Sequence, residues 1–402
     1  MSKAAIIGGG ASGMMAALTA SGLGHEVILF ERQARVGKKL LATGNGRCNL
    51  TNLGAAPERY HGEDAGFMRT AFGRFSVQDT LEFFRSHGLV TVAEASGRVY
   101  PRSDAANSVT DVLRFALEQA GVDMRLGCEV TSAQKAKGGF IITTDAGEEK
   151  ADKLIICAGG AAGSKVGGSS RGYELLSAFG HTRTKLCPSL TQIRTDPTYP
   201  RSLKGVRADA GVRLIHKGRV CAESAGEVQF VEYGVSGPAV FDISRAASTM
   251  NGDLTVELDL MRDWTEEELF ELIRSRTEDM PQLTLENLLT GILHNRLGQC
   301  VIRYGGRRLT DTVSSLRPGD IRSIVRDIRH FELEVRGVNG FDSAQVTAGG
   351  IRTEEFDPET LESRLVPGLF AAGEVLDIDG DCGGFNLQWA WSSGHTAGRL
   401  GK

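Results

Sequence analysis

Three glycines, Gly8, Gly10 and Gly13, follow a short apolar segment, Lys3 to Ile7, and open a run of small and apolar residues, Met14 to Ser21. Glycine at the first position permits a tight turn. At the second it removes the side chain that would block a pyrophosphate, and at the third it lets a helix pack closely on a strand. The phosphates then face the free N–H groups and positive dipole end of that helix. A second apolar segment, Glu26 to Phe30, ends in Glu31, where a carboxylate accepts the protons of both ribose hydroxyls and disfavours a 2′-phosphate. The chemistry these residues point to is dinucleotide binding, and the elements that must position them are strand, glycine turn, helix and second strand.

The same fingerprint serves NAD and FAD, and the far end of the chain separates them. Residues 366–374, VPGLFAAGE, read as a turn, a buried strand and a glycine stop, followed by Asp377, Asp379 and Asp381. This resembles the segment with which FAD-binding flavoproteins of the two-dinucleotide-binding type contact the ribityl chain and pyrophosphate. Between the two ends, Lys153 to Ile156 reads as another buried strand running into Cys157, Ala158, Gly159 and Gly160. An NAD site needs no such C-terminal return, whereas the longer FAD does.

Two further stretches complete the expected site. Residues 37–52, GKKLLATGNGRCNLTN, are too rich in glycine and polar residues for a helix or core strand and read as a binding loop. In it Lys38, Lys39 and Arg47 could meet the diphosphate, and Asn45 and Asn49 the flavin's imide edge. Residues 380–391, GDCGGFNLQWAW, lead into a final helix reaching Leu400. Its N-terminus near the flavin pyrimidine would stabilise negative charge gained on reduction. Trp389 and Trp391 read as core.

Here the resemblance becomes specific. The motifs GNGRCNLTN at 44–52, AGEVLDIDG at 372–380 and GGFNLQWAWSSG at 383–394 look like the bacterial bile-acid-inducible-N-type (BaiN-like) FAD oxidoreductases, over the full chain. The family also includes aminoacetone oxidase-like members and a ribosomal-RNA dihydrouridine synthase. The resemblance implies an α/β fold: a Rossmann-like FAD-binding domain of the two-dinucleotide-binding flavoprotein type, interrupted by an inserted β-barrel plus helical domain. The expected boundaries are 1–187 and 338–402 for the FAD-binding domain and 188–337 for the insertion. The cofactor-binding positions implied are Gly8, Gly10, Ala11, Ser12, Gly13, Glu31, Arg32, Lys38, Gly44, Arg47, Cys48, Asn49, Val130, Ala158, Gly159, Gly160, Gly373, Glu374, Asp377, Gly383, Gly384, Asn386 and Leu387.

The expected reaction is reduction of a C=C bond conjugated to a carbonyl. Hydride passes from flavin N5 to the β-carbon and a proton goes to the α-carbon, with NAD(P)H as transient donor. Cys48 is the candidate proton donor. A flavin amine oxidase, an RNA uridine reductase and a flavin-binding module without turnover are the alternatives. No dithiol CxxC or CxxxxC lies near the glycine motif, which counts against a disulfide reductase.

In the middle of the chain, Val212 to His216 and Glu227 to Tyr233 alternate like strands, and Glu266 to Met280, Glu286 to Ile302 and Asp320 to His330 have helical apolar spacing. The last of these sets Arg322, Arg326 and Arg329 opposite its apolar face, a stripe able to follow the phosphates of an rRNA partner. The net charge of −4 gives no general attraction to nucleic acid or anionic membrane. Glycines interrupt the uncharged stretch from Ala4 to Gly24, so it reads as no membrane helix. Seven cysteines without a CxxC pair point to a reducing cytoplasm. His61, His87, His181, His216, His294, His330 and His395 show no metal-like spacing, and no metal is expected.

Overall fold

The computed structural model describes Met1–Gly401. Lys3–Ile7 (β1), Ala11–Gly22 (α1), Glu26–Glu31 (β2), Ala106–Gln119 (α2), Asp123–Leu126 (β3), Lys153–Ile156 (β4), Leu369–Ala371 (β5) and Phe385–Gly398 (α3) frame the dinucleotide-binding unit. Its parallel sheet has the order β5-β4-β1-β2-β3. Ile6 of β1 pairs with Ile155 on one side and Leu29 on the other. These strands are buried along their apolar runs, as expected where a parallel sheet is covered on both faces. The order reverses beside β1, so β1 and β4 end at the switch point where such sheets bind ligands, and Gly8 sits there. Val130–Ala136, Gly139–Thr144 and Gly147–Ala151 form a three-stranded antiparallel sheet leading into β4.

The chain divides into two units, residues 1–187 with 345–401, and Pro188–Ala344. The inserted unit is a closed barrel of Ile193–Thr195, Gly234–Ser236, Arg219–Val231, Arg207–His216, Leu254–Asp259 and Phe331–Val338. Its interior comes from alternate residues: Val212 and Leu214, Val228 and Phe230, Val256 and Leu258, and Phe331 and Leu333 are all buried. Four helices, Pro238–Thr249, Glu266–Asp279, Asn295–Tyr304 and Pro318–Arg329, complete it. The unit runs seven residues past the expected 337. Asn339 stays with it, its N–H bonding Gln192 O at 2.9 Å and its side chain Gln192 Oε1 at 3.0 Å.

The helix expected over Glu286 to Ile302 is instead a short 3-10 turn, Leu285–Asn287, and a separate helix from Asn295. Gly291 breaks it at φ +83, and His294 Nδ1 caps the second piece by accepting from Arg296 N at 3.3 Å.

The segment leading back to β5 is held by a buried polar relay. His181 lies between Glu355 Oε2, 2.7 Å from Nδ1, and Ser363 Oγ, 2.9 Å from Nε2. The hydroxyl accepts the Leu365 and Val366 N–H groups at 3.1 and 2.9 Å, which fills both its acceptor sites, so the imidazole is the acceptor for its proton. Burial pushes the His181 pKa below its ordinary value, against the opposing pull of Glu355. The folded state therefore prefers neutral His181, and below about pH 6.5 the unfolded chain takes up the proton more readily. The stability contribution is present above that pH and lost as pH falls. Melting temperature should drop between pH 7.5 and 5.5, and His181→Gln should flatten that slope. His395, whose pKa burial also lowers, accounts for a residual slope. An unchanged slope in the variant would remove His181 from the account.

Candidate FAD site

The glycine turn divides its labour among the three positions. A Cβ on Gly8, at φ +108, would overlap the Cys157 carbonyl at the end of β4, and one on Gly13 would overlap the Gly8 carbonyl. These two close the turn against the sheet. Gly10 differs: its φ of −81 suits any residue, and a Cβ there would have no protein atom within 4 Å. The open face of the turn is therefore where Gly10 heads α1, with Ala11 and Ser12 in the helix's first turn.

Glu31 ends β2, and its Oε2 accepts the Gly9 N–H at 2.8 Å while Oε1 accepts Gln33 N–H at 2.7 Å. Burial raises its pKa, with these two bonds opposing. Arg32 donates to Gly167 O and Gly168 O at 2.9 and 3.1 Å, pinning the glycine-rich loop after β4. Lys38 bonds Gln33 Oε1 at 2.8 Å. Beside this end, Cys128 N–H reaches Glu31 O at 3.0 Å, which brings the strand starting at Val130 alongside.

The C-terminal return meets the first motif directly. A Cβ on Gly373, at φ +79, would lie 2.5 Å from Ser12 Oγ, and Gly373 N–H bonds Ser393 Oγ of α3 at 2.9 Å. Glu374 Oε2 pairs with Lys39 Nζ at 2.7 Å, and Oε1 accepts Thr347 N–H at 2.8 Å. Gly160 packs against that carboxylate, while Ala158 and Gly159 lead into it from β4. Asp377 is buried and accepts Glu63 N–H at 3.1 Å. Glycine turn, β4 exit, lysine loop and C-terminal strand thus converge at one place.

At the other end, Gly384 caps α3 at φ +102, and a Cβ there would lie 2.9 Å from Asn49 Oδ1. Gly44 also lies close, where a Cβ would come 2.9 Å from Asn49 N. Asn49 is 9% exposed, and its Oδ1 has no hydrogen-bond partner among the described residues. Gly383 O accepts from Asn52 Nδ2 at 2.8 Å.

Several expected contacts fall elsewhere. Arg47 pairs with Asp104, reaches Glu94 at 3.1 Å and stacks 3.9 Å from the Tyr100 ring centroid, so it staples the loop and its charge is already engaged. Asn386 clamps Gly380, accepting its N–H at 2.8 Å and donating to its carbonyl at 2.7 Å. Leu387 packs on the core, and Asn45 is exposed.

Cys48 has 0% exposure, and burial pushes its thiol pKa up to about 12. A sulfur enclosed by protein meets no substrate, and a thiol this weak is a poor acid at neutral pH; both properties contradict the proton-donor role. Cys48→Ala should keep turnover within about threefold, and native Cys48 should resist iodoacetamide at pH 8. A loss of turnover beyond about a hundredfold with the fold intact would restore the catalytic role.

Residues that the motifs did not single out hold the site together. Trp391 Nε1 donates to Leu50 O at 2.9 Å and Trp389 Nε1 to Gly373 O at 3.2 Å, so the two buried indoles tie α3 to both arms of the site. Gln388, fully buried, accepts from Thr51 Oγ1 at 2.6 Å and donates to Phe75 O and Ser392 Oγ. Gln388 and Ser392, polar residues four apart and so on one face of the helix, were the available signal.

In the inserted unit the arginine stripe is split. Arg329 bonds Asp259 at 2.9 Å and the Trp264 carbonyl, while Arg322 pairs with Glu267 at 3.4 Å and lies over Phe270. Arg326 and Arg322 are 70% and 61% exposed at their side chains, and Arg326 bonds Ser323 Oγ at 3.1 Å. Among the described residues no three His, Cys, Asp or Glu side chains cluster as metal ligands, and no helix is long and apolar enough to cross a membrane.

Two independent features fit FAD: the open cradle at Gly10 suits a pyrophosphate, and the unpartnered buried Asn49 carbonyl suits an imide donor. Gly10, Ser12, Glu31 and Gly373 would hold the adenosine and phosphate portions, and Gly384 and Asn49 the ring.

Comparison with known proteins agrees. Residues 2–400 match the HI0933-like protein Rossmann domain family. The chain is 39% identical over 404 residues to the 3-dehydro-bile acid delta(4,6)-reductase of Clostridium scindens, covering 99% of this chain and 98% of that protein. It is 31% identical over 396 residues to the ribosomal RNA dihydrouridine synthase of Escherichia coli, covering 97% and 95% respectively. Among solved structures, the 3-ketosteroid delta1-dehydrogenase of Sterolibacterium denitrificans has the same fold, with a TM-score of 0.51 at 12% identity over 99% of this chain and 98% of that one. The chain belongs to the HI0933-like (BaiN-like) family of FAD-dependent Rossmann oxidoreductases.

Proposed function

We propose that this protein is an NAD(P)H-driven reductase of a carbon–carbon double bond conjugated to a carbonyl, acting on steroid acids of the 3-oxo bile acid class. The observation that carries this reading is the full-length 39% identity to a bile acid reductase. Arg329, engaged with Asp259, is one charge of the stripe that is not free to follow a phosphate chain. The bound flavin supplies a hydride, which adds to the β-carbon while the α-carbon gains a proton. The protein's own part is to fix the cofactor between Gly10 and Asn49. With Cys48 sealed in the core, the proton comes from another source.

Anaerobic incubation with NADH or NADPH and a 3-oxo-4-ene steroid acid should give the saturated ketone, heavier by two hydrogens. Uridine-containing RNA should remain unreduced, and aminoacetone should provoke no oxygen consumption in air. Dihydrouridine formation abolished by Arg326→Glu would overturn the assignment in favour of an RNA substrate. Peroxide formed from aminoacetone would overturn it in favour of an amine oxidase.

A further inference from the structure

Among the described residues, Arg98 is the one half-buried arginine whose guanidinium makes no hydrogen bond or ion pair. Its strand, Arg98–Pro101, pairs with Thr51–Asn52, so that Val99 stands opposite Thr51 and Arg98 opposite Asn52. Thr51 and Val99 are buried, and Thr51 bonds Gln388, which sets that face of the ribbon against α3. Side chains alternate along a strand, so Arg98 and Asn52 project from the other face. There they meet the residues that lead into α3. Asn52 Nδ2 donates to Gly383 O at 2.8 Å, and a Cβ on Gly383 would lie 3.2 Å from Arg98 Nε. The carboxylates of this neighbourhood are already taken: Asp381 holds Arg59 at 3.2 Å and His61 at 2.7 Å, and Glu94 and Asp104 both hold Arg47. Arg98 thus keeps an uncompensated positive charge, partly withdrawn from water, near the positive dipole end of α3. An anion bound there satisfies both.

We propose that Arg98 is the cation that receives the negative charge formed on the substrate's carbonyl oxygen during reduction. The assignment rests on the reductase reading above. When hydride from the reduced flavin adds to the β-carbon, the π pair of the double bond moves toward the carbonyl, whose oxygen becomes an enolate until the α-carbon takes its proton. Arg98 gives up no proton, because a guanidinium stays charged throughout the neutral range. It offers N–H groups to an oxygen whose charge grows along the reaction, so its contribution appears in the rate of hydride transfer more than in ground-state binding. A carboxylate would be bound by the same chemistry. In a steroid acid, however, the carboxylate stands at the far end of the ring system from the 3-oxo group, whereas Arg98 lies at the helix end that serves the flavin ring.

The test uses the full chain with FAD bound, reduced anaerobically with dithionite and then mixed rapidly with an oxidant. Arg98→Ala should slow reoxidation by a 3-oxo-4-ene steroid acid by about a hundredfold or more. The methyl ester of that acid should lose the same factor. Reoxidation by ferricyanide, which takes single electrons and forms no enolate, should stay within about threefold of wild type. Arg98→Lys, which keeps the charge and loses the planar fork, should recover at least about tenfold of the lost rate. An alanine variant reoxidised by the enone within about threefold of wild type would overturn the assignment. So would a loss confined to the acid, which would make Arg98 a carboxylate anchor, or an equal loss with ferricyanide, which would make its role structural. Arg98→Gln carries the same test if the alanine variant does not fold. Wild-type reduced flavin that no enone reoxidises would refute the reductase reading itself, and the assignment with it.

Discussion

Gly10→Val should give a folded, colourless protein. A Cβ at this position meets no protein atom within 4 Å, and the backbone at φ −81 is one that valine tolerates, so the melting temperature of the flavin-free chain should scarcely move. The new side chain instead fills the face of the turn where the pyrophosphate is held, and FAD affinity should fall by at least about a hundredfold. Gly13→Val inverts the pattern. Its Cβ overlaps the Gly8 carbonyl, so α1 must move off the sheet, at a cost exceeding about 4 kcal/mol. Circular dichroism with flavin absorbance on the two purified variants separates the outcomes. A yellow Gly10→Val protein with undiminished affinity would remove the cofactor from this turn.

Gln388→Leu should destabilise the protein heavily although it touches neither end of the glycine turn. Gln388 is fully buried, and the substitution strips the Thr51 hydroxyl of its acceptor. The Phe75 carbonyl keeps the Ser392 hydroxyl at 2.6 Å, so the main loss is at Thr51 and in the coupling of loop to helix. The cost should be about 3 kcal/mol, and by the size scaling of large domains a melting temperature lower by about 6–12 °C. Flavin should also dissociate faster, because the loop carrying Asn49 loses one of its two ties to α3. A change below about 2 °C in calorimetry would mean that Trp391 alone holds the loop.

The parts of the fold that could be read in advance are those governed by short-range rules. Lys3–Ile7, Glu26–Glu31 and Lys153–Ile156 are continuous apolar runs ended by glycine or an acid, and each is a strand of the parallel sheet. Parallel pairing buries both faces, which leaves a run rather than an alternation. The barrel strands at Arg207–His216 and Arg219–Val231 extend well beyond the alternating segments visible in the sequence. Their added residues, 207–211 and 219–226, mix polar with small apolar types and are recruited by ladder hydrogen bonds, not by a clear alternation.

The glycine turn was legible because its backbone sets its shape. The spacing of Gly8, Gly10 and Gly13 predicts which two pack closely and which one is left open. Side-chain roles in the loop were not legible. Arg47 and Asn49 are two residues apart in the same polar stretch, yet one stacks outward on Tyr100 and the other is buried. What separates them is the left-handed turn at Cys48 and partners at Glu94 and Asp104, far away in sequence. The stripe of Arg322, Arg326 and Arg329 was legible only in part, for a related reason. Helical spacing shows which residues share a face, but only tertiary structure brings Asp259 and Glu267 to that face.

The central claim is that FAD in this cradle passes reducing equivalents from a nicotinamide to a conjugated double bond. The most direct test is to follow the purified protein anaerobically through the oxidised-flavin band at about 450 nm, first with NADH or NADPH and then with a 3-oxo-4-ene steroid acid. The account predicts that one nicotinamide bleaches the band and that the enone restores it in proportion to saturated ketone formed. A flavin that bleaches and stays bleached with every enone offered would contradict it.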